Sequence, residues 1–495
     1  MTTTAHNTTA AHDVDHATQH REAAKNTVAM LLSRLAVAVM GWSGTVLIAR
    51  LLSPTDWGVY SFVFGLLGMM SIVTDLQVGR VVLARLLTGD DDERELVSSS
   101  FVYLRALLGL VGYAVALGYV AVMGYPARVL WVTALAGLVV VIATPSHALS
   151  VLYQSRLKMV KVAVAEAFAQ LVQLLLTIAI AFTMPVLLIF ILPAIVNEIV
   201  AGTWKFVGIR RGWLGLRLNR MPQLRLWKEM LVEAVPLSIG FGIVTLLSKV
   251  DVLMLGKLDT FASVGFYSIA YKFADLVAYG VLAVTTPVAT LLVAAWPHFT
   301  DEFRSRTRAA MVAVALLTTL AAVALWGPAE PVVALLYGER FGEAGNAMRW
   351  LLVGAVFSGL TQMVLVVLVA ANRQRRYPWI ALAALAVNIG LNAALIPRLS
   401  YDGAAYATVV TEVVMLAAMW ILMVRTVPVR GLMPVGQLAM IAGLGLGVCV
   451  VESLVVEFGG VPRAVAAVGA VLVFIALAFA LRIADARTLR RLVRS

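Results

Sequence analysis

Charge is scarce in this sequence. Only 13% of its 495 residues are Asp, Glu, Lys or Arg, while 61% are hydrophobic. A soluble domain carries about 25% charged residues, so this chain cannot cover itself with polar surface, and lipid is its expected solvent. Cysteine is scarcer still. Cys449 stands alone in an apolar run, which excludes a disulfide framework and a thiolate metal cluster. No G-x-x-x-x-G-K-[ST] loop occurs, which removes ATP hydrolysis by that chemistry. Residues 1–26 lack any apolar stretch, so no secretory signal is expected there. His6, His12, His16 and His20 are irregularly spaced in that polar tail and read as disordered rather than as metal ligands.

What is present is long apolar runs. A crossing helix needs about 20 apolar residues, and such runs fall near 27–49, 58–78, 99–123, 128–154, 163–182, 186–207, 230–258, 262–296, 307–327, 346–371, 377–396, 402–425, 435–457 and 463–482. They are continuous rather than alternating, which predicts helices and excludes a barrel. The expected fold is therefore an all-α integral membrane protein with about 14 spans.

A net charge of +12 admits a nucleic-acid binder or a membrane protein with basic inner loops. The positions decide. With the N-terminus cytoplasmic, inner segments hold 28 of the 39 basic residues and outer loops hold six. That alternation needs an even number of spans with both termini inside, and it removes the main support for nucleic-acid binding. The acidic run at 90–95 reads as a solvated cytoplasmic segment.

The chain also repeats. Val46, Leu47 and Leu52 recur as Val252, Leu253 and Leu258, and Gly58, Tyr60 and Ser61 recur as Gly265, Tyr267 and Ser268. The first and seventh spans run in the same direction, so the repeat is parallel. The expected organisation is a tail at 1–26, a six-helix lobe at 27–207, a basic linker at 208–229, a second six-helix lobe at 230–425, an extra helix pair at 431–482 and a basic tail at 483–495.

Four stretches carry a resemblance: "GWSGTVLIARLLSPTDWGVYSF" (41–62), "SKVDVLMLGKLDTFASVGFYSIAYKFADL" (248–276), "LLYGERFGEAGNAMRWL" (335–351) and "ANRQRRYPWIALAALAVNIGLNAALIPRLSYDGAAYATVVTEV" (371–413). In order and spacing they resemble polysaccharide exporters of the multidrug/oligosaccharidyl-lipid/polysaccharide (MOP) superfamily. The resemblance covers most of residues 27–425 and leaves the last two spans without a match. It implies a Wzx-type flippase that moves a polyprenyl-diphosphate-linked oligosaccharide by alternating access in the cytoplasmic membrane. No cofactor is implied. The partners are the lipid-linked oligosaccharide, membrane lipids and a coupling ion, Na+ or H+.

Ionisable groups inside spans default to functional candidates. Arg34, Lys249 and Lys272 lie in the first, seventh and eighth spans, which line the cavity in the resembled fold, and they suit a diphosphate. Lys272 can equally be neutralised by Asp275 at i+3. Lys249 and Asp251, two residues apart, must find partners elsewhere. Arg105 reads as snorkelling to the headgroups and Arg349 as an interfacial anchor. Glu198, Asp251 and Glu412 are candidates for ion coupling or proton relay, or are permanently paired structural groups. Asn388, Asn392, Thr408 and Thr411 offer oxygens to Na+, a site of a kind some MOP relatives carry, or else ordinary interhelical hydrogen bonds. Tyr271 and Tyr279 are candidate sugar platforms.

Other classes compete. A drug or cation antiporter of the MATE branch shares the architecture, as does a lipid II flippase of the MurJ branch. A membrane glycosyltransferase or polymerase needs a sizeable extramembrane segment, and no expected outer loop exceeds about 20 residues. The chain is therefore read as a transporter, not an enzyme.

Overall fold

Backbone amides in hydrocarbon find no water to bond, so each apolar run must satisfy them within a helix. The computed structural model describes Ser33, residues 36–218, 221–481 and Ile483. Arg34, the start of the first expected span, the tail expected at 1–26 and the tail beyond Ile483 lie outside these. Among the described residues every regular element is helical.

The helices are α1 (Ala36–Leu51), α2 (Pro54–Met69), α3 (Ser71–Thr74), α4 (Val78–Thr88), α5 (Asp91–Val122), α6 (Ala127–Ser155), α7 (Met159–Thr183) and α8 (Leu192–Arg210). They continue as α9 (Leu224–Leu258), α10 (Phe261–Ala295), α11 (Thr300–Trp326), α12 (Ala329–Tyr337), α13 (Ala344–Ala370), α14 (Tyr377–Thr426), α15 (Val435–Gly459) and α16 (Arg463–Ala480). Twelve candidate spans among the described residues are long and apolar enough to cross a membrane, and α1 is a shorter apolar helix. α14 is two helices joined at Ser400, whose φ of 55° and ψ of −139° are not helical. Divided there, α14 counts as two, so the described residues give thirteen long helices beside the shorter α1.

Local sequence sets the ends. Asp90 caps α5 by accepting the Glu93 backbone N–H at 2.8 Å, and Asp91, Asp92 and Glu93 fill its positive first turn. The acidic run is thus the start of a helix, longer at its N-terminus than hydropathy suggests. Thr260 caps α10 by accepting from Ser263 N–H. At the α14 break the Ser400 hydroxyl is bonded with Asp259 and lies 3.0 Å from Ser263 Oγ. Those bonds hold a backbone conformation that a non-glycine residue rarely adopts.

By internal contacts the chain forms two compact units. The first holds the described residues up to Leu51 with Met70–Ser238, and the second holds Leu52–Met69 with Ile239 onward. This differs from a lobe boundary between 207 and 230 in two ways. First, α9 begins in one unit and ends in the other. Its opening turns are bound to the first unit: Trp227 Nε1 donates to the Ser100 carbonyl at 2.8 Å, and Met230 and Ala234 enter that unit's core with Val82, Phe101 and Leu152.

Second, α2 packs on α10 within the second unit. The reason is two glycines. A Cβ on Gly58 would fall 1.6 Å from the Phe261 carbonyl oxygen, and one on Gly265 would fall 2.3 Å from the Pro54 carbonyl oxygen. Small residues let the two backbones touch, the usual way helices associate in lipid. Ser268 Oγ then donates to Ser61 Oγ at 3.0 Å. Gly58 with Gly265 and Ser61 with Ser268 are repeat-equivalent pairs, so each residue meets its own counterpart.

Within the first unit, Arg105 does not snorkel. It is 5% exposed, donates to Asp75 Oδ1 at 2.7 Å and to the Thr74 carbonyl at 2.6 Å, and so caps the end of α3. Leu76 and Gln77 follow with φ of 44° and 54°, and the chain turns into α4.

The helix pair α15–α16 belongs to the second unit. Cys449 and Phe474 share a core with Val312 and Val323 of α11, and Trp326 Nε1 donates to Ser453 Oγ at 3.1 Å. Glu330 joins Arg349, at 3.2 Å, to Arg463. Burial, which acts to raise the Glu330 carboxyl, is outweighed by Arg463 and Arg349, which hold it below the usual carboxylate range. Arg349 also donates to the Trp326 carbonyl at 2.6 Å, so it ties α13 to the α11–α12 turn rather than simply facing headgroups.

Candidate functional site

The second unit gathers most of the polar side chains expected to matter. Asp251, on α9, is 5% exposed. Tyr267 Oη of α10 donates to its Oδ2 at 2.7 Å, and Asn392 Nδ2 of α14 donates to its Oδ1 at 2.6 Å. Thr408 Oγ1, beyond the Ser400 break, lies 2.9 Å from Oδ2 and also 2.9 Å from the Ala404 carbonyl, so its single hydrogen serves either acceptor. Asn392 Nδ2 also reaches Asn388 Oδ1 at 2.9 Å. Three helices thus surround one carboxylate with neutral donors.

This arrangement follows from helical spacing. Asn388 and Asn392 are one turn apart on the first segment of α14 and face α9 together. Asn392 Oδ1 is buried without a partner, which leaves an acceptor unsatisfied beside Asp251. Asp251, Asn388, Asn392 and Thr408 therefore bring a hard-oxygen donor set to one place, the kind Na+ takes. Thr411 does not join them. Its hydroxyl donates back to the Ala407 carbonyl at 2.7 Å, the common resting bond of a helical threonine.

Beside this network lies a cavity of about 250 Å³ between α10, α13 and α14. Its polar lining is Tyr271, Asp275, Ser358, Gln362, Thr408 and Glu412. Thr408 borders both features. The Tyr271 ring packs on Tyr267 with centroids 5.8 Å apart.

Lys249 and Lys272 come from adjacent helices of this unit and lie within electrostatic range of each other and of Asp275. Among the described residues neither closes an ion pair within 4.0 Å, and neither lines the cavity. Lys249 Cε is 3.9 Å from where a Cβ on Gly68 of α2 would stand. Tyr279 is 64% exposed and does not line the cavity. Arg34 lies outside the described residues.

Glu198 belongs to the first unit, on α8, within electrostatic range of Lys205 and Glu166. Lys205 lies in the last part of α8. It is 2% exposed, and its Nζ lies 3.2 Å from Ser150 Oγ. Tyr267, Gln362 and Ser358 were not singled out from the sequence. The usable signal for Tyr267 was its place in the repeat, opposite Tyr60.

These features define a polytopic helical membrane protein with a buried carboxylate network and an adjoining cavity in one unit. The chain belongs to the polysaccharide biosynthesis protein family, whose profile matches residues 23–291. Solved structures share the fold at low identity. One is a lipid II flippase MurJ in an inward-closed conformation, with a TM-score of 0.70, 14% identity, and coverage of 92% of this chain and 99% of that one. Another is an inward-facing multidrug resistance MATE family transporter, with a TM-score of 0.66, 13% identity, and coverage of 79% and 94%. A MOP superfamily transporter from Pyrococcus furiosus gives 0.54, 14%, and 80% and 92%. A search of curated protein sequences finds no significant match.

Proposed function

We propose that the chain is a flippase for a polyprenyl-diphosphate-linked oligosaccharide, driven by a cation that binds at Asp251. It works in the cytoplasmic membrane with both termini inside, which the distribution of basic residues supports, and it carries out transport rather than covalent chemistry. The observation that carries the reading is the pair Lys249 and Lys272. Two ammonium groups held near each other inside apolar spans repel and are costly to bury. Asp275 offsets one of them. A diphosphate entering beside them supplies the remaining countercharge, and Arg34 is assigned to the same task. The oligosaccharide follows along Tyr271, and the prenyl tail stays in lipid.

Coupling rests on the Asp251 network. Asp251, Asn388, Asn392 and Thr408 offer a carboxylate and neutral oxygens drawn from both segments of α14. A cation there ties α9 to α14, and its loss releases them. Glu198 and Glu412 are the alternative carboxylates for a proton.

A second reading has its own support. The cavity bears Asp275 and Glu412 and no basic side chain in its lining, which suits a cationic cargo exported by a MATE-type antiporter. A MurJ-type lipid II flippase shares the diphosphate chemistry of the first reading. The test is reconstitution into vesicles with a fluorescent polyprenyl-diphosphate oligosaccharide, comparing wild type with Lys249→Ala, Lys272→Ala and Arg34→Ala. Leaflet transfer by wild type, reduced in the lysine variants, is the expected result. Export of cationic dyes with no lipid transfer transfers the assignment to the antiporter.

A further inference from the structure

The cavity beside the Asp251 network has a chemistry that narrows the cargo. Its volume of about 250 Å³ lies below the roughly 300–1,000 Å³ of sites that enclose a drug-sized molecule, so it has room for one small ring. Asp275 and Glu412 present acceptors, Gln362 and Ser358 present both donors and acceptors, and Tyr271 presents an aromatic face made rigid by its contact with Tyr267. An aromatic face with carboxylate and amide groups around it matches a pyranose, whose C–H face is apolar and whose rim is hydroxyl. Lys249 and Lys272 stand outside the lining, within electrostatic range of Asp275 but not in contact with the sugar-sized space.

We infer that this cavity is a monosaccharide subsite that accepts a pyranose bearing an amine or only hydroxyls and rejects one bearing a carboxylate. An ammonium group pairs with Asp275 or Glu412, and hydroxyls donate to them. A uronate carboxylate would have to stand against the carboxyl groups of Asp275 and Glu412, with no basic side chain in the lining to receive it. The arrangement gives the head group two ends: a diphosphate for Lys249 and Lys272, and a neutral or amino sugar for the cavity. The inference rests on the flippase reading only for what the sugar is attached to.

The test uses the full chain in lipid nanodiscs and saturation-transfer difference NMR with three methyl glycosides: glucosaminide, glucoside and glucuronide. Wild type should give its strongest signal with the glucosaminide and a signal at least about fivefold weaker with the glucuronide, a selectivity that like-charge repulsion in the site sets. Glu412→Gln and Asp275→Asn should lower the glucosaminide signal to that of the glucoside, while Glu412→Asp keeps the preference and controls for folding. Ala355→Trp, which fills the cavity, should remove all three signals. A glucuronide signal equal to the others in wild type, or a preference unchanged in both amide variants, overturns the subsite. Transfer of the lipid-linked oligosaccharide is scored separately in vesicles. Transfer without glycoside preference removes the subsite alone, and preference without transfer removes the flippase reading alone.

Discussion

Arg105 in the first unit and Asp251 in the second are equally buried, each 5% exposed, yet they are held in opposite ways. Arg105 faces a fixed counter-ion, Asp75, and a helix-end carbonyl. Its charge is already answered, and the result is a turn locked between α3 and α4. Asp251 is held by Tyr267, Asn392 and Thr408, all neutral. Hydrogen bonds of this kind orient a carboxylate without cancelling its charge. The contrast separates a buried ion paired with a fixed counter-ion from a carboxylate whose hydrogen-bond partners are all neutral.

The comparison breaks first at Asp75. Replacing it with Ala strands a buried guanidinium, and removal of one member of a buried pair costs about 3–5 kcal/mol. Asp75→Ala should therefore lower the detergent melting temperature sharply, and adding Arg105→Leu should recover part of the loss. No recovery in the double variant would show that the pair is not the source of the effect.

The α2–α10 contact should rank next. Gly58→Ala forces a methyl group against the Phe261 carbonyl and should cost about 1–3 kcal/mol, as overpacking does. Gly265→Ala should behave alike, and the two together should fall short of additivity because they wedge the same contact. Thermal melts of the three variants check this.

Asp251→Asn sharpens the other side. The amide keeps the shape and loses the charge, so the fold should survive while cation-stimulated transport falls about tenfold, equivalent to roughly 1.4 kcal/mol. A large drop in melting temperature with stimulation intact would place Asp251 with Arg105 among the structural ions.

The smallest effect is expected at Glu330. Its carboxyl is held below the usual range by Arg463 and Arg349, against the opposing pull of burial. A depressed folded value means its stabilisation is present above the unfolded carboxylate range, near pH 4, and is lost as pH falls through the folded value. Its partners are partly exposed, so about 1 kcal/mol or less is expected. Melting of wild type and Glu330→Gln should differ at pH 7 and converge toward pH 3.

Hydropathy made the spans legible because lipid enforces long apolar helices, and α5, α6, α10 and α13 begin and end close to the apolar runs or overrun them into capped turns. Asn388 and Asn392 were legible as one face because helical spacing puts them there. Tyr267 was not, since a tyrosine near a membrane interface needs no further explanation and its bond to Asp251 exists only once α9 and α10 are packed. Asp275, Gln362 and Glu412 are 50 to 137 residues apart, and nothing local announces that they share a cavity. Lys205 fell at the edge of the expected span at 186–207, and only the packing of α8 shows it to be 2% exposed. The grouping of α2 with the second unit depends on backbone contact at Gly58 and Gly265, which no periodicity encodes.

Those glycines bind the two halves of the sequence together in a further sense. Position 58 is felt at 265 and position 61 at 268, so neither member of a pair can change without the other registering it. Elsewhere the halves differ, with Lys205 in one and Asp251, Lys249 and Lys272 in the other. Where counterpart touches counterpart, a larger side chain at one position needs room made at the other.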